Sequence, residues 1–120
     1  AVFVSSGAAA ARNAYMGPYA VSKAALEAMV KTYALEVAET SVRVNMINPG
    51  PVRTGMRAKA FPGEDPNTLP APEELGPLFA QLASPACTAN GELFTFRRNG
   101  SAQTLPSSAP PPLKGEDAAP

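Results

Sequence analysis

The sequence contains no histidine and a single cysteine, Cys87, among its 120 residues. Without histidine, the chain cannot build a Ser-His-Asp triad, a histidine-bound metal site or a histidine general base, and we expect no metal ion. One cysteine excludes an internal disulfide and is typical of a reducing compartment. The absences therefore favour a cytoplasmic protein whose chemistry, if any, depends on other side chains.

The chain also lacks an excess of either charge and a long apolar run. Lysine and arginine total 10, as do aspartate and glutamate, so the charge gives no reason to expect nucleic acid or an acidic membrane as partner. No apolar run approaches the roughly 20 residues that span a bilayer. The opening residues AVFVSS do not resemble a signal peptide. We therefore expect a globular domain with no membrane and no nucleic-acid partner.

The predicted elements alternate between strand and helix. Apolar and β-branched runs predict strands over 1–5, 41–49 and 91–98. Apolar residues at helical spacing predict helices over 18–40 and 72–84. This alternation predicts an α/β fold: a partial Rossmann-like, doubly wound parallel sheet of three strands, with the two main helices on opposite faces.

The first helix has two predicted faces. Leu26, Val30 and Val37 repeat at helical spacing and form an apolar stripe. Glu27 and Lys31 are spaced to form a favourable i,i+4 pair on the other side. Alanines between these residues let another backbone approach closely, so we expect both faces to be covered.

Two segments lie outside the regular elements. Residues 53–72 are rich in proline and glycine, which predicts an irregular connection with at most a short helix, typical of a lid or binding loop. Residues 101–120 are rich in serine, alanine and proline, which predicts a disordered tail. The apolar strand at 1–5 begins at once, without a polar entry, so we expect a chain that starts inside a larger fold.

Three separated stretches are predicted to meet at one edge of the sheet. Ser6 ends the first strand, Tyr19 and Lys23 open the helix that follows, and residues 49–54 follow the second strand. In open α/β sheets ligands bind beyond the carboxyl ends of the strands. The topology therefore predicts a site at this edge without reference to any motif.

The same residues carry a resemblance. Ser6, Tyr19 thirteen residues later, Lys23 and the turn NPGPVRT at 48–54 resemble the second half of the short-chain dehydrogenase/reductase family. The stretch 19–66 is similar in particular to the YciK-type bacterial oxidoreductases of that family. The resemblance covers roughly residues 1–98. It implies an oxidoreductase that transfers hydride between NAD or NADP and a small carbonyl compound or its alcohol.

The resemblance implies roles for the matching residues. Tyr19 is the proton donor, the Lys23 ammonium makes the phenol a stronger acid and binds the nicotinamide ribose, and Ser6 holds the substrate oxygen. The implied catalytic residues are thus Ser6, Tyr19 and Lys23, and the implied cofactor-binding residues are Tyr19, Lys23, Pro49, Gly50, Val52 and Thr54. The candidate substrate-binding residues are Ser6 and Met56, of which Met56 has two open interpretations, packing and contact with the substrate.

Each of these residues also has an ordinary structural interpretation. Ser6 alone is more often a turn residue at a strand end, and Tyr19 with Lys23 is usually a half-exposed pair with the lysine stem covering the ring. Residues 48–51 alone are most often just a turn. Thr54 can equally cap a short helix that begins at the next residue. The combination in this topology favours the dehydrogenase site.

The family's first half has no counterpart in this sequence. None of its glycines form G-x-G-x-x-G, and the asparagine that completes the family's proton relay is absent. We therefore expect residues 1–100 to be the C-terminal half of a dehydrogenase domain. We expect this piece alone to have an unpaired edge at its first strand, to bind no cofactor or aggregate, and to lack turnover.

Two interpretations of function stay open. In the first, the complete protein is a homo-oligomeric reductase that pairs through the helix at 18–40. In the second, the chain is a catalytically inactive remnant that acts as an interaction module through that same alanine-rich helix.

Overall fold

The computed structural model describes residues 1–10, 14–97 and 103–104. The strands are β1 (Val2–Val4), β2 (Asn45–Asn48), β3 (Leu93–Thr95) and β4 (Gln103–Thr104). The α-helices are α1 (Gly17–Glu36), α2 (Gly55–Ala60) and α3 (Gly76–Ala83). Short 3-10 turns occupy Gly7–Ala9, Pro66–Thr68 and Pro72–Leu75.

The four strands form one open sheet in the order β1-β2-β3-β4. β1 pairs with β2 and β2 with β3, both in parallel, so the predicted three-stranded parallel sheet is confirmed. β1 lies at one edge of this sheet, as predicted. The order of elements between β1 and β3 is also the predicted one.

β4 corrects one part of the sequence analysis. Residues 103–104 lie in the segment for which composition predicted disorder, yet they pair antiparallel with β3. Backbone hydrogen bonds to an existing strand can order a short segment whatever its side chains. Residues 98–102 and 105–120, the rest of the predicted tail and its boundary, lie outside the described residues.

The sheet has an apolar layer on each face, as the alternation predicted. On one face, Val30 of α1 is fully buried against Val44 and Met46, which are also fully buried. On the other, Ile47 packs against a cluster that includes buried residues of α3. Met46 and Ile47 are neighbours in β2, so their side chains point to opposite faces because side chains alternate along a strand.

α1 differs from its prediction in length. It ends at Glu36, four residues before the predicted end at residue 40. The Thr40 hydroxyl donates to the Val37 carbonyl over 2.6 Å, and the Thr40 amide donates to the same oxygen over 2.9 Å. These bonds close a turn in place of the next helical turn, because threonine competes for backbone groups that a helix would use.

The predicted pair between Glu27 and Lys31 is wrong. In the part of the chain that the structure describes, these two side chains form no ion pair. The Glu27 carboxylate instead accepts a hydrogen bond from the Ser5 hydroxyl. Glu27 therefore faces β1 rather than solvent.

The connection between β2 and α3 is closed by two arginines. Arg53 donates from its guanidinium to the carbonyls of Pro66 (2.9 Å) and Leu69 (3.2 Å). Arg57 forms a bidentate pair with Glu64, at 2.8 and 2.9 Å. An irregular connection with at most a short helix was predicted, and α2 is the one α-helix described within it. The arginine contacts tie the two ends of this connection together. No helix in the described ranges is both long and apolar enough to cross a membrane.

Candidate active site

The carboxyl ends of β1 and β2 lie side by side at one edge of the sheet. The Ser5 amide donates to the Ile47 carbonyl over 2.8 Å, which extends the parallel ladder one residue past β1. A Cβ atom placed on Gly7 would lie 3.7 Å from Asn48 Nδ2. The segment after β1 therefore lies against the end of β2, and α1 packs against the 3-10 turn that opens there.

Ser6 is the N-cap of the 3-10 turn at Gly7–Ala9. Its hydroxyl oxygen accepts a hydrogen bond from the Ala8 amide over 3.2 Å. Capping uses a lone pair of the oxygen and leaves the hydroxyl hydrogen for another acceptor. The turn interpretation of Ser6 is thus confirmed, and it is compatible with a second role in which the hydroxyl donates to a ligand.

Lys23 and Tyr19 lie one turn apart on α1. The Lys23 ammonium donates to the Val4 carbonyl over 3.1 Å, so the charge is held at the carboxyl end of β1 rather than free in solvent. The same Nζ lies 5.8 Å from the centroid of the Tyr19 ring, within the range of a cation–π contact. Tyr19 is 37% exposed, which leaves its phenol accessible to a small molecule.

The structure brings together the elements that carry these three residues, but it does not join all of the side chains directly. Lys23 contacts both Tyr19 and the end of β1. No hydrogen bond joins Ser6 to Tyr19 among the residues described. The shared location is the junction of β1, the following turn and the first two turns of α1.

Local hydrogen bonds and backbone conformation hold the turn after β2. Gly50 has φ +67°, a left-handed conformation that favours glycine, and its amide donates to the Asn48 side-chain oxygen over 3.0 Å. Pro49 precedes it, and the half-buried Val52 packs against the α3-side core. Thr54 caps α2, because its hydroxyl oxygen accepts from the Arg57 amide over 3.1 Å. The capping interpretation of Thr54 is therefore confirmed.

Met56 lies on α2 with its side chain 74% exposed. The structure thus leaves its thioether free to meet a ligand, and it gives the residue no packing role in the core. The described residues contain no group of three side chains suited to hold a metal ion.

Two residues of this edge were missed by the sequence analysis. Asn48 caps the turn at Gly50, and the signal for it was present, since an asparagine two residues before a glycine often closes such a turn. Glu27 binds Ser5. Helical spacing alone gave no signal for this contact, because the partner lies on another element.

The open sheet, with three parallel strands, a helix on each face and polar groups at its carboxyl edge, defines a Rossmann-like α/β fold. A family model described as short chain dehydrogenase matches residues 1–65. The chain belongs to the short chain dehydrogenase family. The predicted family resemblance is thus confirmed.

Individual relatives agree with this assignment. The chain is 47% identical over 81 residues, 68% of its length, to an oxidoreductase of Escherichia coli strain K12 named YciK, of which the match covers 32%. It is 31% identical over 109 residues, 87% of its length, to a vibriobactin-specific 2,3-dihydro-2,3-dihydroxybenzoate dehydrogenase of Vibrio cholerae, of which the match covers 42%. The chain therefore spans less than half the length of these curated relatives.

Solved structures show the same fold. The structure of YciK from E. coli superposes with a TM-score of 0.71 at 41% identity, covering 78% of this chain and 38% of that one. A short chain dehydrogenase from E. coli CFT073, complexed with NADPH, superposes with a TM-score of 0.70 at 41% identity, covering 81% of this chain and 40% of that one.

Proposed function

We propose that the protein containing this chain is an NAD- or NADP-dependent oxidoreductase that interconverts a small carbonyl compound and its alcohol. The observation that carries the proposal is the position of Lys23, whose ammonium binds the end of β1 while lying beside the Tyr19 ring. Family membership and the NADPH bound to a neighbour support the cofactor class. The chemistry that the cofactor supplies when bound is the transfer of hydride.

The residues present fit the nicotinamide end of such a cofactor. Lys23 has three N–H donors and uses one on Val4, so two are available to ribose hydroxyls among the contacts of the described residues. A Cβ atom at Gly50 would meet no atom within 4 Å, so the turn after β2 is open on that side. Thr54 retains its hydroxyl hydrogen for a carboxamide oxygen after capping α2. Pro49 and Val52 shape the same turn.

Three side chains have separate roles at the substrate oxygen. Tyr19 donates the proton that a carbonyl oxygen gains as its carbon is reduced. Lys23 places a positive charge 5.8 Å from the centroid of the Tyr19 ring. Ser6 donates its hydroxyl hydrogen to the same oxygen and holds it near Tyr19. The exposed Met56 offers an apolar contact for the remainder of the substrate.

A direct test is an assay of the complete natural protein with NADH or NADPH against a panel of aldehydes and ketones. We expect reduction of at least one carbonyl compound, measured as loss of the reduced nicotinamide absorbance, together with the reverse reaction on the corresponding alcohol. Ser6→Ala is expected to lower kcat while cofactor affinity is retained. Absence of turnover with every carbonyl, despite saturable cofactor binding, contradicts the proposal.

We further propose that α1 joins two copies of the complete protein. Its outer surface carries exposed apolar side chains at Val21 (69%), Met29 (50%) and Leu35 (79%), of which residues 21 and 35 are two heptads apart. Apolar side chains exposed along one helix are typical of a helix that pairs with another. Leu35→Glu is expected to convert a dimer into a monomer in sedimentation velocity. Dimeric, inactive protein supports the interaction-module alternative instead.

A further inference from the structure

A polar contact joins α1 to the residue just before Ser6. The Ser5 hydroxyl donates to the Glu27 carboxylate, and Ser5 is only 2% exposed. A hydrogen bond to a charged acceptor is about twice as strong as a neutral one, and breaking it would leave a buried hydroxyl without a partner. This contact is therefore a strong and directional tie between α1 and β1.

A second tie lies one helical turn away. Lys23 donates to the carbonyl of Val4, and Glu27 accepts from the side chain of Ser5, so adjacent residues of the strand end are held by side chains four apart on α1. Tyr19 lies one further turn along the same stripe of the helix. The two contacts thus lie directly between the α1 core and Tyr19.

The apolar core does not fix the position of α1 relative to the end of β1 in the same way. Contacts among Val30, Val44 and Met46 hold α1 over the sheet, but hydrophobic burial is non-directional and does not by itself fix a polar group at the strand end. One residue of slippage moves a helix by about 1.5 Å along its axis. A misplacement of about 1 Å can cost roughly 100-fold in rate when two groups must meet on one atom.

We propose that Glu27 is a positioning residue, which holds Ser5 and thereby sets where Tyr19 stands relative to Ser6. This inference rests on the proposed function, because it assigns Glu27 a role in arranging that same site. Ser6 follows Ser5 directly and has an extended backbone at φ −153° and ψ 151°. A contact that fixes Ser5 from the α1 side therefore also fixes the direction in which the backbone continues into Ser6. In this proposal Glu27 acts through Ser5 and is assigned no contact with substrate or cofactor.

The test uses the complete natural protein and four variants: Glu27→Ala, Glu27→Gln, Ser5→Ala and the double variant. We expect Glu27→Ala and Ser5→Ala each to lower kcat by about 10- to 100-fold, with KM for the nicotinamide cofactor within about twofold of wild type. The double variant is expected to lose no more than either single variant, since both remove one contact. Glu27→Gln keeps an acceptor oxygen for Ser5 and is expected to retain kcat within about threefold.

Glu36→Ala, on the same helix but with an exposed side chain, is the matched control and is expected to leave kcat unchanged. Ser5→Ala removes a single oxygen, so its kcat can be measured even if Glu27→Ala folds poorly. Additive losses, or kcat per folded molecule equal to wild type in both single variants, overturn the inference.

A crystal structure of Ser5→Ala beside that of wild type separates this inference from the proposed function. We expect the distance from Ser6 Oγ to Tyr19 Oη to change by about 1 Å or more, the displacement at which rate becomes sensitive. An unchanged distance overturns the positioning role whether or not the protein reduces carbonyls. A wild-type protein without turnover, in contrast, contradicts the proposed function. The change in the distance from Ser6 Oγ to Tyr19 Oη still tests the positioning role of Glu27 in that case.

Discussion

Lys23 of α1 donates a hydrogen bond to the carbonyl oxygen of Val4, 19 residues earlier in the chain, over 3.1 Å. The bond joins the first turns of the helix to the last residue of β1. The same ammonium lies 5.8 Å from the centre of the Tyr19 ring. One cation therefore links the strand that precedes Ser6 to the residue proposed as the proton donor.

Removal of this cation is expected to impair both catalysis and cofactor binding. Lys23→Met keeps the apolar stem and removes the ammonium, so it deletes the charge beside Tyr19 and the donors proposed for the ribose. We expect kcat to fall by about 100-fold or more and KM for the cofactor to rise, because general acid catalysis contributes about 10²–10⁴-fold. Steady-state kinetics of the complete protein measure both constants. Lys31→Met is the matched control on the same helix, and loss of activity in both variants would contradict a specific role for Lys23.

The two valines Val30 and Val42 provide a matched test of the core beneath α1. Val30 of α1 is fully buried, and Val42 is 40% exposed and lies outside the surface proposed to join two copies. We expect Val30→Ala to lower the free energy of unfolding by about 1–3 kcal/mol, since it deletes buried methyl groups and leaves a cavity. Val42→Ala is expected to change it by no more than about 0.5 kcal/mol. Urea denaturation of the complete protein measures both, and equal effects would contradict the described packing.

The pair between Arg57 and Glu64 is expected to make stability depend on pH. Hydrogen bonds from Arg57, aided by its charge, hold the pKa of Glu64 below its ordinary value. Because the folded-state pKa is the lower one, the pair stabilises the fold above the unfolded pKa of roughly 4.3. This contribution is lost as the pH falls through the folded-state pKa.

Glu64→Gln tests this dependence. We expect the variant to be less stable than wild type at neutral pH, and the difference to shrink as the pH is lowered below 4.3, roughly the ordinary glutamate pKa. The measurement is the free energy of unfolding across that range, with the exposed Glu39→Gln as control. A difference that stays constant with pH would contradict a stabilising role for this pair.

The order and faces of the fold could be predicted from the sequence because burial on two sides leaves a clear pattern. Met46 and Ile47 lie in the alternating, β-branched segment 41–49 that predicted a strand, and the structure places them on opposite faces of β2. The end of α1 could not be predicted, because it depends on a local competition in which Thr40 takes the Val37 carbonyl. β4 gave no signal either, since a two-residue strand depends on its pairing partner rather than on its own pattern.

The location of the candidate site was predictable for a similar reason. Parallel strands bring their carboxyl ends to one edge, so Ser6 and Gly50 had to follow neighbouring strand ends once the topology was known. The role of Glu27 was not predictable, because its partner Ser5 is distant in sequence and the i,i+4 rule considers only one helix. Thr54 shows an intermediate case, in which the capping interpretation and the cofactor role were both open and the structure confirms the cap.

The most direct test of the central proposal is the turnover of Tyr19→Phe in the complete protein, compared with Tyr33→Phe on the same helix. Phenylalanine keeps the ring and removes only the hydroxyl that is proposed to donate the proton. We expect Tyr19→Phe to lower kcat by about 10²–10⁴-fold with cofactor affinity nearly intact, and Tyr33→Phe to retain wild-type kcat. A Tyr19→Phe protein that reduces its carbonyl substrate at the wild-type rate would place the proton donor elsewhere and contradict the account.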